Sequence, residues 1–331
     1  MDMRFKVAAV VTAVCIVFSG LFLASSVQAQ TRTVKISQAF QHLLYIGLYV
    51  ARDAGFFKEQ GLDVTISTAG GDAPAFAALT SGQVDFAQGD PAFVAIGAEK
   101  GWDGRVVVMA VDRVAIWGVA IKDIKPFTDP IGFKGLTVAT YPQPNTSYVV
   151  QKELAERAGL KLGVDTRIAE VQFGSEIPAL RSGTVDVAQT IEPNVTQLEE
   201  QNGHVVFSYP EAYGPLAFTG LMVSEKLIRE QPDLVQRVVT AYEKAFQLIR
   251  TNPDRAVEIA ALQLPNLGKD TIRRALQRLV QSGSIPAHTK IDPVSWDKLL
   301  KIRVAVGDLK AMPAKQLFDN TFADKAQRLL P

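Results

Sequence analysis

The chain has 331 residues, 47% hydrophobic and 21% charged, with a single Cys and 35 basic residues against 34 acidic ones, a formal net charge of +1. That length exceeds one small core and suits two domains. The even charge balance offers no polybasic field for nucleic acid and no acidic tail, and the apolar content excludes a disordered chain.

The first element in the chain is an expected export signal. Arg4 and Lys6 precede an apolar run, and Ser25, Ser26, Val27, Gln28 and Ala29 follow it. A charged segment, an apolar stretch and a small-residue site place the cut after Ala29. The run from Val7 to Leu23, 17 residues, is at the short limit for a membrane anchor. Cys15 lies inside this run behind Val14, which argues against lipid attachment there. Loss of residues 1–29 takes Arg4, Lys6 and Asp2, leaving 33 of the 35 basic and 33 of the 34 acidic residues and no Cys. The exported protein then has neither a disulfide nor a thiolate metal site and depends on a large core.

Past the signal, short β-rich runs alternate with helical patterns. Strands are predicted at 33–37, 62–68, 84–88 and 106–111, with helices at 44–58, 73–81 and 91–100. The pattern then restarts, with strands at 136–139, 167–171, 185–189 and 204–208 and helices at 146–158, 176–181 and 193–200. From residue 224 onward the chain reads as helical, with a long amphipathic helix at 232–250 and shorter ones at 255–262, 269–282 and 295–306. Strands alternating with helices imply βαβ units, an α/β fold class and mainly parallel sheets.

An internal repeat supports two similar lobes. Residues 78–88, ALTSGQVDFAQ, match residues 179–189, ALRSGTVDVAQ, at eight of eleven positions. Each copy reads as a helix end, a Gly C-cap and a buried strand, and the order of the surrounding elements repeats as well. Ligands of open α/β sheets bind beyond the carboxyl ends of the strands, so the loops after each strand are the ones to inspect.

The segment 47–64, GLYVARDAGFFKEQGLDV, resembles the first helix and second strand of periplasmic ABC-transporter substrate-binding proteins of the nitrate, sulfonate, taurine and thiamine-pyrimidine type. Both L-x-S-G-x-V-D-x-A copies, the stretch from Asp129 to Leu136, and the Pro232 and Asn252-Pro253 helix starts fit the same family. The likeness extends over roughly residues 33–262 of the chain. It implies a bilobal periplasmic-binding-protein fold of type II, two parallel-sheet lobes joined by two hinge crossovers. Lobe 1 would comprise residues 31–124 and 219–331, and lobe 2 residues 125–218. It also implies a periplasmic, monomeric binder, without cofactor or metal, that delivers a small solute to ABC permease subunits in the inner membrane.

The strand-end loops supply the candidate ligand residues. They are Gln38, His42, Tyr45, Asp72, Asp90 and Trp117 in the first half, and Asn145, Thr146, Ser147, Glu176 and Glu192 in the second. Phe40 and Phe173 stand in the same loops, and they and Trp117 suit core packing equally well. Asp72, Asp90 and Ser175 also suit helix N-caps. Asn145, Thr146 and Ser147 would suit an anion. Against that, Asp72, Asp90, Asp112, Glu176 and Glu192 outnumber Arg113 in these loops, and carboxylates repel a buried anion. The expected solute is therefore a heterocycle or amine-bearing molecule with N–H donors, such as a pyrimidine, with nitrate- or sulfonate-type anions as the alternative.

An enzyme of thiamine-pyrimidine biosynthesis on the same fold is a further alternative, as is a sensor module. The related fungal enzymes carry a Cys-rich iron motif that the exported chain lacks. The chain has no G-x-S-x-G, H-E-x-x-H, Walker A or G-x-G-x-x-G motif, and His42, His204 and His288 show no metal-ligand spacing. A binder rather than an enzyme is expected.

Overall fold

Strand and helix alternate to build two five-stranded sheets. The computed structural model describes residues 31–330; the expected export signal lies outside them. The strands are β1 (Arg32–Gln38), β2 (Leu62–Thr68), β3 (Phe86–Gly89), β4 (Gly104–Arg113), β5 (Trp117–Ala120), β6 (Thr137–Thr140), β7 (Arg167–Glu170), β8 (Val187–Thr190), β9 (His204–Ser208) and β10 (Pro215–Ser224). The first sheet runs β2-β1-β3-β10-β4 and the second β7-β6-β8-β5-β9.

The two sheets share one plan. Three parallel strands come from βαβ units, and the fourth position is filled by the strand that follows a crossing between sheets. These two strands, β5 and β10, run antiparallel to both neighbours, so the sheets are mixed rather than parallel throughout. Neither was predicted. β5 follows β4 with no helix between them, and β10 carries Pro215 and Gly220, residues that weaken a strand pattern. Sheet membership changes between Arg113 and Trp117 and again between Ser208 and Pro215. The crossings thus fall ahead of the expected boundaries at 124 and 219, because Trp117 pairs with Thr190 and Ser208 on either side.

Fourteen helices surround the sheets in the described residues. On the first half they are α1 (Ile46–Asp53), α2 (Phe56–Glu59), α3 (Asp72–Thr80) and α4 (Ala92–Glu99). The second half has α5 (Thr146–Arg157), α6 (Glu176–Arg181), α7 (Asn194–Glu199) and α8 (Tyr209–Tyr213). The C-terminal set is α9 (Glu225–Glu230), α10 (Pro232–Thr251), α11 (Pro253–Gln263), α12 (Lys269–Gln281), α13 (Pro293–Ala305) and α14 (Thr321–Leu329). The helix expected at 44–58 is two helices, α1 and α2, broken at Gly55. None of the described helices is long and apolar enough to cross a membrane.

The repeat has one geometry in both halves. Gly82 and Gly183 each take a φ of +74°, which a side chain would oppose, and end α3 and α6. The Asp that follows then secures the sheet. Asp85 accepts from the Lys35 N–H at 2.8 Å, and Asp186 accepts from the Thr137 N–H at 2.9 Å, each fastening the neighbouring parallel strand. Packing explains Gly47 of the GLYVA stretch: a Cβ there would lie 2.6 Å from the Phe246 ring, so its absence lets α1 seat against α10.

Two C-terminal helices touch both sheets' layers. α13 packs on β10 and α4 of the first half and on α5 of the second, while α12 packs on α11 and on α7 of the second. This placement brings distant cations to the cleft.

Candidate functional site

The carboxyl ends of both sheets face one another across a buried cavity. Its walls are Phe40, His42, Leu44, Tyr45, Asp72 and Asp90, then Ile116, Tyr141, Asn145, Thr146, Ile191, Phe218 and Thr219. Six of the sequence candidates meet there: His42, Tyr45, Asp72, Asp90, Asn145 and Thr146. The cavity measures about 30 Å³, room for one or two water molecules. A recess of about 220 Å³ adjoins it, sharing Phe40, Asp72, Tyr141 and Asn145 and lined further by Gly70, Gly71 and Phe173. Phe40 and Phe173 stack across this recess with ring centroids 4.1 Å apart, and Tyr141 tilts against Phe173 at 5.3 Å.

The other five candidates stand behind the wall. Gln38 accepts from Tyr49 Oη and donates to Thr68 Oγ1. Trp117 is buried in β5, with the Arg278 guanidinium over its ring. Ser147 Oγ accepts from the Tyr141 N–H. Glu176 is fully buried and accepts from Tyr141 Oη, Thr190 Oγ1, Asn194 Nδ2 and the Gly174 N–H. Glu192, also fully buried, accepts from the Thr196 N–H and hydroxyl and lies 2.8 Å from Arg278 Nε. Burial raises the Glu192 carboxyl above its ordinary value, opposed by those Thr196 hydrogen bonds and by Arg278.

This geometry revises the electrostatic reading of the loops. The acids counted there as solute ligands are occupied by protein donors. Arg303, fully buried on α13, donates to Asp90 Oδ2, to Thr146 Oγ1 at 2.7 Å, to Asp308 Oδ2 at 2.7 Å and to the Pro144 carbonyl. Residue spacing could not reveal it, because Arg303 lies 213 residues from Asp90. Asp112, at the end of β4, does not line the cavity; burial pushes its carboxyl up to about 6, and its Oδ1 has no partner among the described residues.

Asp72 lines the cavity and has no ion-pair partner within 4.0 Å among the described residues. It accepts from the Asp90 N–H at 2.8 Å and from Asn145 Nδ2 at 2.6 Å, a contact joining the two halves. Asn145 in turn caps α5 by accepting from the Ser147 N–H. Asp72 is the first residue of α3, whose N-cap is Gly71. Burial, with the neighbouring Asp90 charge, pushes the Asp72 carboxyl up to about 6. A carboxyl raised on folding favours the folded state while protonated and loses that advantage as pH climbs from its unfolded value to its folded one. The parent should therefore lose stability relative to Asp72→Asn between about pH 4 and about pH 6, by about 1–3 kcal/mol. Urea midpoints of both proteins at either side of that window check this; a constant difference would mean that Asp72 titrates as a solvated carboxylate.

His42 is a polar group in the wall without a protein partner among the described residues. It is 5% exposed, and neither ring nitrogen has a hydrogen-bond partner among the described residues. Burial lowers its pKa to about 3, so the ring is neutral at physiological pH and carries one donor and one acceptor. Phe173 meets it edge-on at 5.5 Å. Among the described residues no group of three or more His, Cys, Asp or Glu side chains is placed to hold a metal ion.

The chain is similar to known proteins along most of its length. The NMT1/THI5-like family model matches residues 43–256. YtlA of Bacillus subtilis is 26% identical over 93% of this chain and 94% of its own. The formylaminopyrimidine-binding protein of Halalkalibacterium halodurans is 26% identical over 72% of this chain and 74% of its own. In fold, the chain matches the periplasmic aliphatic sulphonate binding protein SsuA from Escherichia coli with a TM-score of 0.67 at 16% identity, over 87% of this chain and 94% of that one.

Proposed function

This chain belongs to the NMT1/THI5-like family, and from that premise we propose that it is the solute-binding component of an ABC importer for a small, uncharged, planar heterocycle. The lobes are the two sheets with their helices, hinged at residues 114–116 and 209–214, and the solute site is the cleft between them. The observation that carries the choice of solute is the wall itself. Phe40, Tyr141 and Phe173 offer ring faces, His42 offers a neutral donor and acceptor, and Arg303 is already matched by carboxylates. Flat apolar faces with a few convergent polar atoms suit a ring system with N–H and carbonyl edges. An oxyanion is best held by several convergent cationic or N–H donors, whereas His42 offers a single neutral N–H.

The cavity is smaller than a pyrimidine ring, so entry requires the halves to part. Asp72 to Asn145, Asp90 to Thr146 and Phe40 against Phe173 are the contacts that must open, a hinge motion about the two crossings. The binder would work in the periplasm after export and pass the solute to a membrane permease.

Calorimetry and thermal shift with nitrate, alkanesulfonates, uncharged pyrimidines and flavins test the reading. A pyrimidine-type solute at about 100 times its Kd should add about 2.7 kcal/mol of stability. Tight binding of nitrate or an alkanesulfonate with no response to any uncharged ring would overturn it. The solute should also be recovered unchanged after long incubation; chemical conversion would favour the enzyme of thiamine-pyrimidine biosynthesis instead.

A further inference from the structure

Asp90 devotes its two carboxylate oxygens to two helices on opposite sides of the cleft. Oδ1 accepts from the Ala92 N–H at the start of α4, 3.0 Å away. Oδ2 reaches the N-terminus of α5, where it accepts from the Thr146 N–H at 3.1 Å and from Thr146 Oγ1 at 2.5 Å. Arg303 Nη2 donates to the same oxygen. A helix N-terminus, a hydroxyl and a guanidinium converging on one oxygen are the parts from which proteins build oxyanion sites. α5 is 12 residues long, enough for its dipole to count at that end. Asp90, Thr146 and Arg303 are 4%, 2% and 0% exposed, and Arg303 Nε has no partner among the described residues. The Asn145-Thr146-Ser147 segment, which by its residue types suits an anion, therefore has one, and it belongs to the protein.

We infer that Asp90 is a tethered anion filling an oxyanion site at the N-terminus of α5, and that it determines specificity by excluding anionic solutes from the cleft. The inference rests on the cleft being the solute site. A second anion at the wall would sit within a few ångströms of the Asp90 charge with no free guanidinium to offset it. Asp90 and Asp308 are two carboxylates against the single Arg303 guanidinium, and at an effective dielectric near 20 that net negative charge weakens anion binding by on the order of a hundred-fold. The same contacts explain why Arg303 comes from the C-terminal helices. From α13, which touches both halves, one side chain can hold Asp90 and Thr146 together.

The test is to remove the tethered anion and offer a free one. Asp90→Ala, titrated calorimetrically with sulfate and with ethanesulfonate in chloride-free buffer, should bind them at least about 100-fold more tightly than the parent, with a rise in Tm of about 5 °C near saturation. Adding Arg303→Met should abolish the gain. A folded Asp90→Ala protein that binds neither anion, or a parent that binds them equally well, overturns the inference. If Asp90→Ala is unfolded in plain buffer, sulfate should refold it where sodium chloride at equal ionic strength does not; refolding by both salts alike, or by neither, also overturns it. These readouts concern anions alone, so they can fail while the uncharged-solute reading stands, and the solute panel can fail while they succeed.

Discussion

The Arg303→Met variant should unfold at a lower urea concentration than the parent, by an amount equivalent to about 3–5 kcal/mol. Its guanidinium is fully buried between Asp90 and Asp308, which are themselves 4% and 5% exposed at the side chain. Methionine preserves much of the length and apolar stem but leaves both carboxylates buried without their cation. Removing one partner of such a set costs far more than an exposed ion pair contributes, because the remaining charges cannot recover their hydration. The contact network also ties α13 to the first turn of α5, through Thr146 and the Pro144 carbonyl, so the loss falls on the closed arrangement of the two halves. Arg303→Lys should fall between, since lysine keeps the charge but not the forked donors. The expected drop in Tm for the methionine variant is about 10 °C. A change below about 1 kcal/mol would show that water reaches Asp90 and Asp308 and that the network is not what holds the cleft.

His42→Phe should move stability and affinity in opposite directions. The two unpartnered ring nitrogens of His42 cost the unliganded protein free energy, and phenylalanine keeps an aromatic ring beside Phe173 while removing them. Stability should therefore hold or rise by about 1 kcal/mol. If the solute supplies the missing hydrogen bonds, its affinity should fall by about 1–3 kcal/mol, roughly 10- to 100-fold. Because the ring is neutral down to about pH 3, the parent's affinity should show no step from His42 between pH 5 and 8. Unchanged affinity in His42→Phe would remove His42 from the solute site, and a large fall in stability would mark it as a packing residue only.

Much of the architecture was legible along the chain. The Ser-Gly-x-Val-Asp repeat predicted two similar units, and each Gly and Asp of it serves the same local purpose in both: a left-handed turn, then a carboxylate on the neighbouring strand. The strands of the βαβ units were read because local pattern and tertiary role agree there. β5 and β10 escaped because their identity lies in their pairing. They are the strands that enter each sheet after a crossing, antiparallel to both neighbours and outside the strand–helix alternation that marks the βαβ units. Of the residues singled out by the rule that ligands bind in loops after strands, His42, Tyr45, Asp72, Asp90, Asn145 and Thr146 line one cavity. It could not say which carboxylates remain available.

Local sequence was enough to determine the alternation of elements, the duplication and the family likeness, since those depend on residues near one another in the chain. Charge in the cleft was settled elsewhere. Arg278 and Arg303 sit on helices far along the chain, and only the packing of α12 against α7 and of α13 against α5 brings them to Glu192 and Asp90. An acidic loop read residue by residue suggested a solute with N–H donors. Folding supplies the cations from within, because buried carboxylates are tolerated only when hydrogen-bonded and paired. Tertiary structure also brings the Phe40, Tyr141 and Phe173 rings together beside the unpartnered His42 imidazole.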